Sequence, residues 1–334
     1  MAGPLREAEI RPDELMAEQA RRYEADVHRL LAARDRFVDV RCPACDAGDA
    51  TPKWSKYELS FVECAGCETV YMSPRPGPEV LEDYYANSEN YEYWSRVVFP
   101  ASEAVRREKI FRPRAERIVE IARRHGVNAG TLIDVGAGFG SFCQEAGRIG
   151  HFDRVVAIEP EPHLAAACRE REIEVIEAPV ERAELEAGAD VVTSFEVIEH
   201  LFSPAQFIAK CRGILPPGGL FVLTCPNGKG FDLLELGAAS SAVDTEHLNY
   251  FHPASLQRLL DREGFDVVEV QTPGRLDAEL VRKAALAGEK DLSAEPFLRR
   301  VLIDEWERLG QGFQQYLVAN GLSSNQWVVA RRRS

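Results

Sequence analysis

The stretch TLIDVGAGFG, residues 131–140, joins a short apolar run to a turn with glycines at 136, 138 and 140. A continuous apolar run bounded by turn residues reads as a strand buried on both faces. Glycines let the following backbone take conformations closed to other residues and come close to a ligand. SFCQEAGRIG, residues 141–150, then has a helical pattern. Strand, glycine turn and helix in that order put the loop at the carboxyl edge of a strand, where open α/β sheets bind their ligands.

The same alternation continues downstream. RVVAIEP (154–160), IEVIEA (173–178), ADVVTSFEV (189–197), GGLFVLTCP (218–226), DVVEV (266–270) and NQWVVARR (325–332) read as further strands. Helical patterns lie between most of them, including one near 204–214 and another in PASLQRLLDREGF (253–265). Strands alternating with helices predict an α/β fold: a doubly wound, mostly parallel, Rossmann-like sheet of seven strands. A largely helical insertion at about 273–322 precedes the last strand.

The glycine spacing chooses between ligands. A dinucleotide loop, G-x-G-x-x-G, needs its third glycine at 141, where this chain has serine. Asp134, two residues before Gly136, would repel a pyrophosphate and favour an ammonium group. Glu159, nineteen residues past Gly140, falls at the tip of the second strand, where a carboxylate accepts hydrogen bonds from ribose hydroxyls. An amine, a ribose and no phosphate describe S-adenosylmethionine. LIDVGAGFG, VVAIEP and FEVIEHL together resemble the class I S-adenosylmethionine-dependent methyltransferases, from about 131 to 270. The resemblance implies that Asp134, Gly136, Gly138 and Gly140 cradle the methionine end and that Glu159 and Pro160 hold the ribose. It also implies that EAPVE (177–181, with Val180) faces the adenine, and that Phe195 and Glu196 lie near the transferred methyl.

Upstream, CPACDAGDATPKWSKYELSFVECAGC (42–67) holds two Cys-x-x-Cys pairs, Cys42/Cys45 and Cys64/Cys67. Four thiolates match tetrahedral zinc and leave no open position, so the ion is expected to be structural. A module this small needs such an ion to fold. Cys143, Cys168, Cys211 and Cys225 form no comparable set and read as small buried hydrophobes. A nucleic-acid-binding ribbon is the competing reading of the module, but only Lys53 and Lys56 are basic between 42 and 72. A zinc module ahead of a methyltransferase domain resembles the sugar C-methyltransferases acting on nucleotide-linked deoxysugars, and related enzymes of surface-polysaccharide and natural-product pathways. The resemblance implies that the module helps cover the acceptor.

After the fifth strand, EHLNYF (246–251) is the densest polar and aromatic cluster. Histidine suits proton transfer near neutral pH. His247 is the candidate base and His200, in FEVIEHL, the second. The sugar C-methyltransferases carry a tyrosine three residues before the corresponding histidine; here that position is Asp244, so oxygen is slightly favoured over carbon as acceptor. His252, before a proline, is expected to start a helix. The tyrosines at 84–93 read equally as a cover over the site or as a seam between modules.

A net charge of −14 argues against nucleic acid as partner, because that affinity comes mostly from neutralised phosphates. No apolar run is long enough to span a membrane, and the charged N-terminal stretch lacks a signal-peptide core; a cytoplasmic location is expected. The chain is read as an N-terminal helix (1–36), a zinc module (37–76), a helical and aromatic lid (77–126) and the methyltransferase domain (127–334). The N-terminal helix permits a homodimer without requiring one. Competing functions are O- or N-methylation of a secondary-metabolite scaffold, and a zinc-ribbon adaptor whose donor-binding domain does not turn over.

Overall fold

The computed structural model describes residues 5–185 and 188–334. The cysteine-rich segment contributes β1 (Phe37–Val38), β2 (Ala50–Lys56), β3 (Leu59–Cys64), β4 (Val70–Met72) and β5 (Arg75–Pro76). The apolar runs downstream become β6 (Thr131–Val135), β7 (Arg154–Ile158), β8 (Glu174–Ile176), β9 (Val191–Phe195) and β10 (Leu220–Pro226). They are followed by β11 (Asn249–Tyr250), β12 (Phe265–Gln271) and β13 (Asn325–Arg332).

Seven of these form one sheet in the order β12-β13-β10-β9-β6-β7-β8, the strand number expected from sequence. Every pairing among β8, β7, β6, β9 and β10 is parallel, while β13 runs antiparallel between β10 and β12. Strand order reverses at β6, with β7 on one side and β9 on the other, so the crevice beyond its carboxyl end is the natural ligand site. Helices cover both faces. Ala115, Ile118 and Ile121 pack with Phe142 and Ala146 on one face, and Phe207, Ile208, Leu256 and Leu259 pack on the other. All four scattered cysteines are buried, as expected.

The cysteine-rich segment is joined to this body by a strand. Its sheet has the order β11-β4-β3-β2, and β11 comes from the far side of the sequence, directly after His247. Tyr250 packs edge to face on Trp54 and Phe61, with ring centroids 5.5 and 5.8 Å away, and Trp54 and Phe61 are tilted against each other at 6.5 Å. Arg75, almost fully buried, donates from Nη1 to Asn249 Oδ1 at 2.9 Å. Asn249 Nδ2 in turn lies within 2.8–3.3 Å of the carbonyls of Ile198, Glu199 and Leu201. Predicted boundaries at residue 76 therefore cut across a sheet that needs residues from both sides.

The N-terminal helix runs over Asp13–Ala32, within the expected 1–36. Its buried Asp26 accepts hydrogen bonds from Ser88 Oγ and from the backbone N–H groups of Glu89 and Asn90, and so holds the start of the helix at Glu89. The tyrosine-rich stretch, within the expected helical and aromatic lid (77–126), is itself helical. Helical backbone runs from Glu89 to Arg124, with π turns at Trp94–Val98 and Arg107–Phe111. The π turns rotate the apolar stripe, and this breaks the 3.6-residue period on which a sequence reading depends. The insertion before β13 is helical as expected, with helices Asp277–Leu286 and Trp306–Ala319 closing over Phe231, Val281 and Leu302. Among the described residues no helix is long and apolar enough to cross a membrane.

Candidate active site

A cavity of about 1310 Å3 opens at the carboxyl end of β6. That is larger than the usual 300–1,000 Å3 of a pocket for one small ligand, and it leaves room for two reactants.

One end is built from the glycine loop and the tip of β7. Gly136 lies at φ +78°, and a Cβ there would sit 2.5 Å from Val197 Cγ2. Its N–H donates to Ile158 O at 2.9 Å, which folds the loop back over the second strand. Glu159, just past β7, accepts from Gly138 N–H at 2.7 Å and from its neighbour Glu161 N–H at 3.0 Å. Burial raises its carboxyl to about 7 in spite of those two bonds. Asp134 accepts from Thr193 Oγ1 at 2.7 Å, and burial raises it to about 6. Pro160 and Val180 also line this end. Phe195 lies between Phe142 and Trp327, with ring centroids 4.8 and 5.7 Å away.

Gly140 is placed differently from the expectation that it touches the donor. It does not line the cavity. It starts the helix Ser141–Ile149 at φ +72°, against the Cys168 side chain and Ile173. Its role is backbone geometry: a left-handed residue costs a non-glycine about 1–2 kcal/mol, and a Cβ would lie 2.9 Å from Cys168 Sγ. Gly140→Ala is accordingly expected to lower the melting temperature by a few degrees and to leave donor affinity, measured by calorimetry, within a few-fold. A large affinity loss at unchanged melting temperature would return Gly140 to the binding set.

Arg114 was not singled out by the sequence reading. Its guanidinium lies 4.2 Å from the centre of the Phe195 ring, facing Asp134 and Glu196, and burial lowers its pKa. A cation beside Asp134 gives this end both signs of charge, which suits the zwitterionic end of an amino acid. One arginine among many on a helix carried no sequence signal.

The other end holds the histidines. His200 and His247 come from distant segments, yet their rings lie 4.6 Å apart. His247 Nδ1 lies 2.8 Å from Ala242 O, and its backbone N–H donates to Asp244 Oδ1 at 2.7 Å. His200 Nδ1 lies 3.1 Å from Glu246 O and 3.4 Å from the Tyr85 hydroxyl. Burial, with His247 beside it, lowers His200 to about 3, so it is a neutral imidazole. Burial and nearby Asp244 raise Glu246 to about 7. The tyrosines divide between the two readings given them. Tyr85 and Tyr91 line the cavity, whereas Tyr84 is buried in the seam, its hydroxyl donating to Glu246 at 3.2 Å. His252 caps its helix as expected, and its Nε2 reaches Cys67 O at 2.9 Å.

The four module cysteines converge. Their Sγ atoms all lie within 4.8 Å of one another, with Cys42–Cys67 at 3.4 Å and Cys45–Cys64 at 3.5 Å. Tetrahedral zinc–thiolate geometry needs sulfurs roughly 3.8 Å apart, so the donor set fits zinc. Gly66 N–H points at Cys64 Sγ, as second-shell donors to a bound thiolate do.

Residues 105–270 match a family described as "Methyltransferase domain". A "Probable S-adenosylmethionine-dependent methyltransferase" of Mycolicibacterium smegmatis is 32% identical over 143 residues, covering 36% of this chain and 56% of its own. A ubiquinone biosynthesis O-methyltransferase of Rhodopseudomonas palustris is 33% identical over 115 residues, covering 32% and 44%. The chain thus spans about half the length of the curated relatives it matches. Among solved structures, an amino pentose methyltransferase from Micromonospora echinaspora aligns with a TM-score of 0.40 at 17% identity, covering 51% of this chain and 90% of that one.

Proposed function

We infer that this chain, an S-adenosylmethionine-dependent methyltransferase by the family match over residues 105–270 and by its named relatives, methylates a hydroxyl of a sugar or sugar-containing polar substrate, in polysaccharide or natural-product biosynthesis. The observation that carries the reading is the single cavity: the Asp134–Glu159 end and the His200–His247 end face the same space. Methyl transfer is an in-line displacement, so holding both reactants in one space supplies much of the rate.

The donor brings an electrophilic methyl on a sulfonium. Glu159 would accept from its ribose hydroxyls, and Asp134 with Arg114 would hold its amino-acid end. The acceptor end suits a polyhydroxylated ring. Tyr23, Tyr57, Tyr85 and Trp94 offer flat faces, while Lys56, Asn90, Asp244 and Glu246 offer donors and acceptors. The relatives named as O-methyltransferases support oxygen as the acceptor atom, as does Asp244, a carboxylate standing where the sugar C-methyltransferases have a phenol. His247 is the residue at which the acceptor gives up its proton. Its Nδ1 faces a carbonyl, so Nδ1 carries the hydrogen and Nε2 keeps a lone pair. Four thiolate-bound zinc ligands would order the β2–β4 sheet that carries β11, and with it the segment after His247.

His247→Ala is expected to lower kcat by about 10²–10⁴-fold, the usual contribution of a positioned base, while donor affinity changes little. Full activity of that variant on a panel of nucleotide-linked and free sugars would remove His247 from the chemistry; no turnover of any sugar by the unmodified chain would remove the substrate class.

A further inference from the structure

Glu199 sits beside His200 in the short 3-10 turn Ile198–His200, directly after β9. Its side chain is 1% exposed, and neither carboxylate oxygen finds a hydrogen-bond donor on another residue. Left alone, a carboxyl buried without a donor takes a proton rather than stay charged; a cation beside it would hold it ionised. Glu199 Oε1 lies 4.0 Å from His200 Nε2. One ligand atom from each of Glu199, His200 and His247 lies within 4.8 Å of the other two.

The surroundings fix both imidazoles in one tautomer. His200 Nδ1 faces Glu246 O and His247 Nδ1 faces Ala242 O; a carbonyl only accepts, so each Nδ1 carries the hydrogen. Each Nε2 is left with a lone pair. A carbonyl behind Nδ1 is the arrangement that orients and enriches metal-ligating histidines. The two segments are also tied to each other, because Leu248 N–H donates to Glu199 O at 2.8 Å and Asn249 Nδ2 grips the neighbouring carbonyls. The cluster borders the acceptor end of the cavity, which both histidines line.

We propose that Glu199, His200 and His247 form a second metal site, separate from the cysteines, for a divalent transition ion such as Mn2+, Fe2+ or Co2+. Two imidazoles and one carboxylate suit such ions and leave coordination positions open, whereas Mg2+ would want more oxygen. The role of the site rests on the methyltransferase reading. When bound, the ion would hold and acidify an acceptor hydroxyl, with His247 as a ligand; the role of His247 Nε2 as base belongs to the ion-free protein.

The test uses the full chain carrying zinc at its cysteines and titrates Mn2+, which thiolates do not favour, by calorimetry and by electron paramagnetic resonance. One equivalent is expected to bind, and Glu199→Gln and His200→Gln are each expected to weaken it about 100-fold or more, beyond the 10–100-fold lost with second-shell partners alone. Binding of S-adenosylhomocysteine serves as the folding control, since the donor end does not include these residues. No Mn2+ or Co2+ binding by the unmodified chain, or equal affinity in variants that keep donor binding, would overturn the site. Loss of donor binding throughout would instead count against the methyltransferase reading.

Discussion

Replacing Cys64 by serine is expected to abolish zinc binding at the four-cysteine cluster proposed to hold it and to remove nearly all turnover, while leaving much of the donor affinity. Structural zinc contributes roughly 10–16 kcal/mol to small modules of this kind. A whole domain is stable by only about 5–15 kcal/mol, so the module has no reserve to replace the ion. The damage should travel along one route. Cys64 ends β3; β3 pairs with β4; β4 pairs with β11, which begins two residues after His247. Four carbonyls in the knuckles also receive side chains from the body: Pro43 O and Ala44 O from Arg262, Gly66 O from Arg258 and Cys67 O from His252. The donor end, on β6 and β7, shares none of these bonds. Metal analysis, thermal melting, donor calorimetry and turnover, measured together, test the route. A Cys64→Ser chain that keeps its metal and its rate would refute it, and equal loss of donor binding and rate would mean that the two ends are not separately supported.

Glu159→Ala should weaken donor binding by roughly 10²–10⁴-fold, from two hydrogen bonds to a charged group at about 1.5–3 kcal/mol each. The carboxyl titrates at about 7, so only a part of it is ionised at neutral pH. Donor affinity should therefore fall as pH is lowered from 8 to 6. Stability should move the other way. The folded value lies above the ordinary carboxylate value near 4.3, so the folded state holds the proton more tightly. This group's contribution is fully present at low pH and is lost as pH rises through about 7. Relative to Glu159→Gln, the unliganded parent chain should thus gain stability on acidification over the range in which it loses donor affinity. Parallel trends in calorimetry and melting would show that Glu159 is not the titrating group.

The convergence of Asp134, Gly136, Gly138 and Glu159 at one end of the cavity, proposed to hold the donor, follows from local features, a loop and the next strand tip within 26 positions, and the parallel strands announce themselves as apolar runs. Gly140 lies at the start of a helix and off the cavity lining, because one glycine spacing serves both ligand approach and helix entry. Convergence of the acceptor end was not legible. The segments of His200 and His247 are joined by Leu248 N–H on Glu199 O and by Asn249 on the neighbouring carbonyls, and the second segment is held by β11 on the cysteine module; no periodicity encodes a pairing across 178 positions, as between Asn249 and Tyr71. Glu199 was not singled out in FEVIEHL, and only burial sets it apart. Arg114 was hidden among neighbouring surface arginines for the same reason.

The place of β13 has a consequence for the order of assembly. β12 takes β13 as its partner in the large sheet, and β13 lies between it and β10. More than 50 residues, the whole helical insertion, separate β12 from that partner in the chain. During synthesis, at about 5–20 residues per second, β12 emerges with its pairing edge bare and must wait several seconds before residues 325–332 exist. The edge of β10 waits longer. Such edges invite pairing with other chains, so the nascent protein should be most prone to aggregate in this interval, and slowing translation within 272–324 should lower its soluble yield.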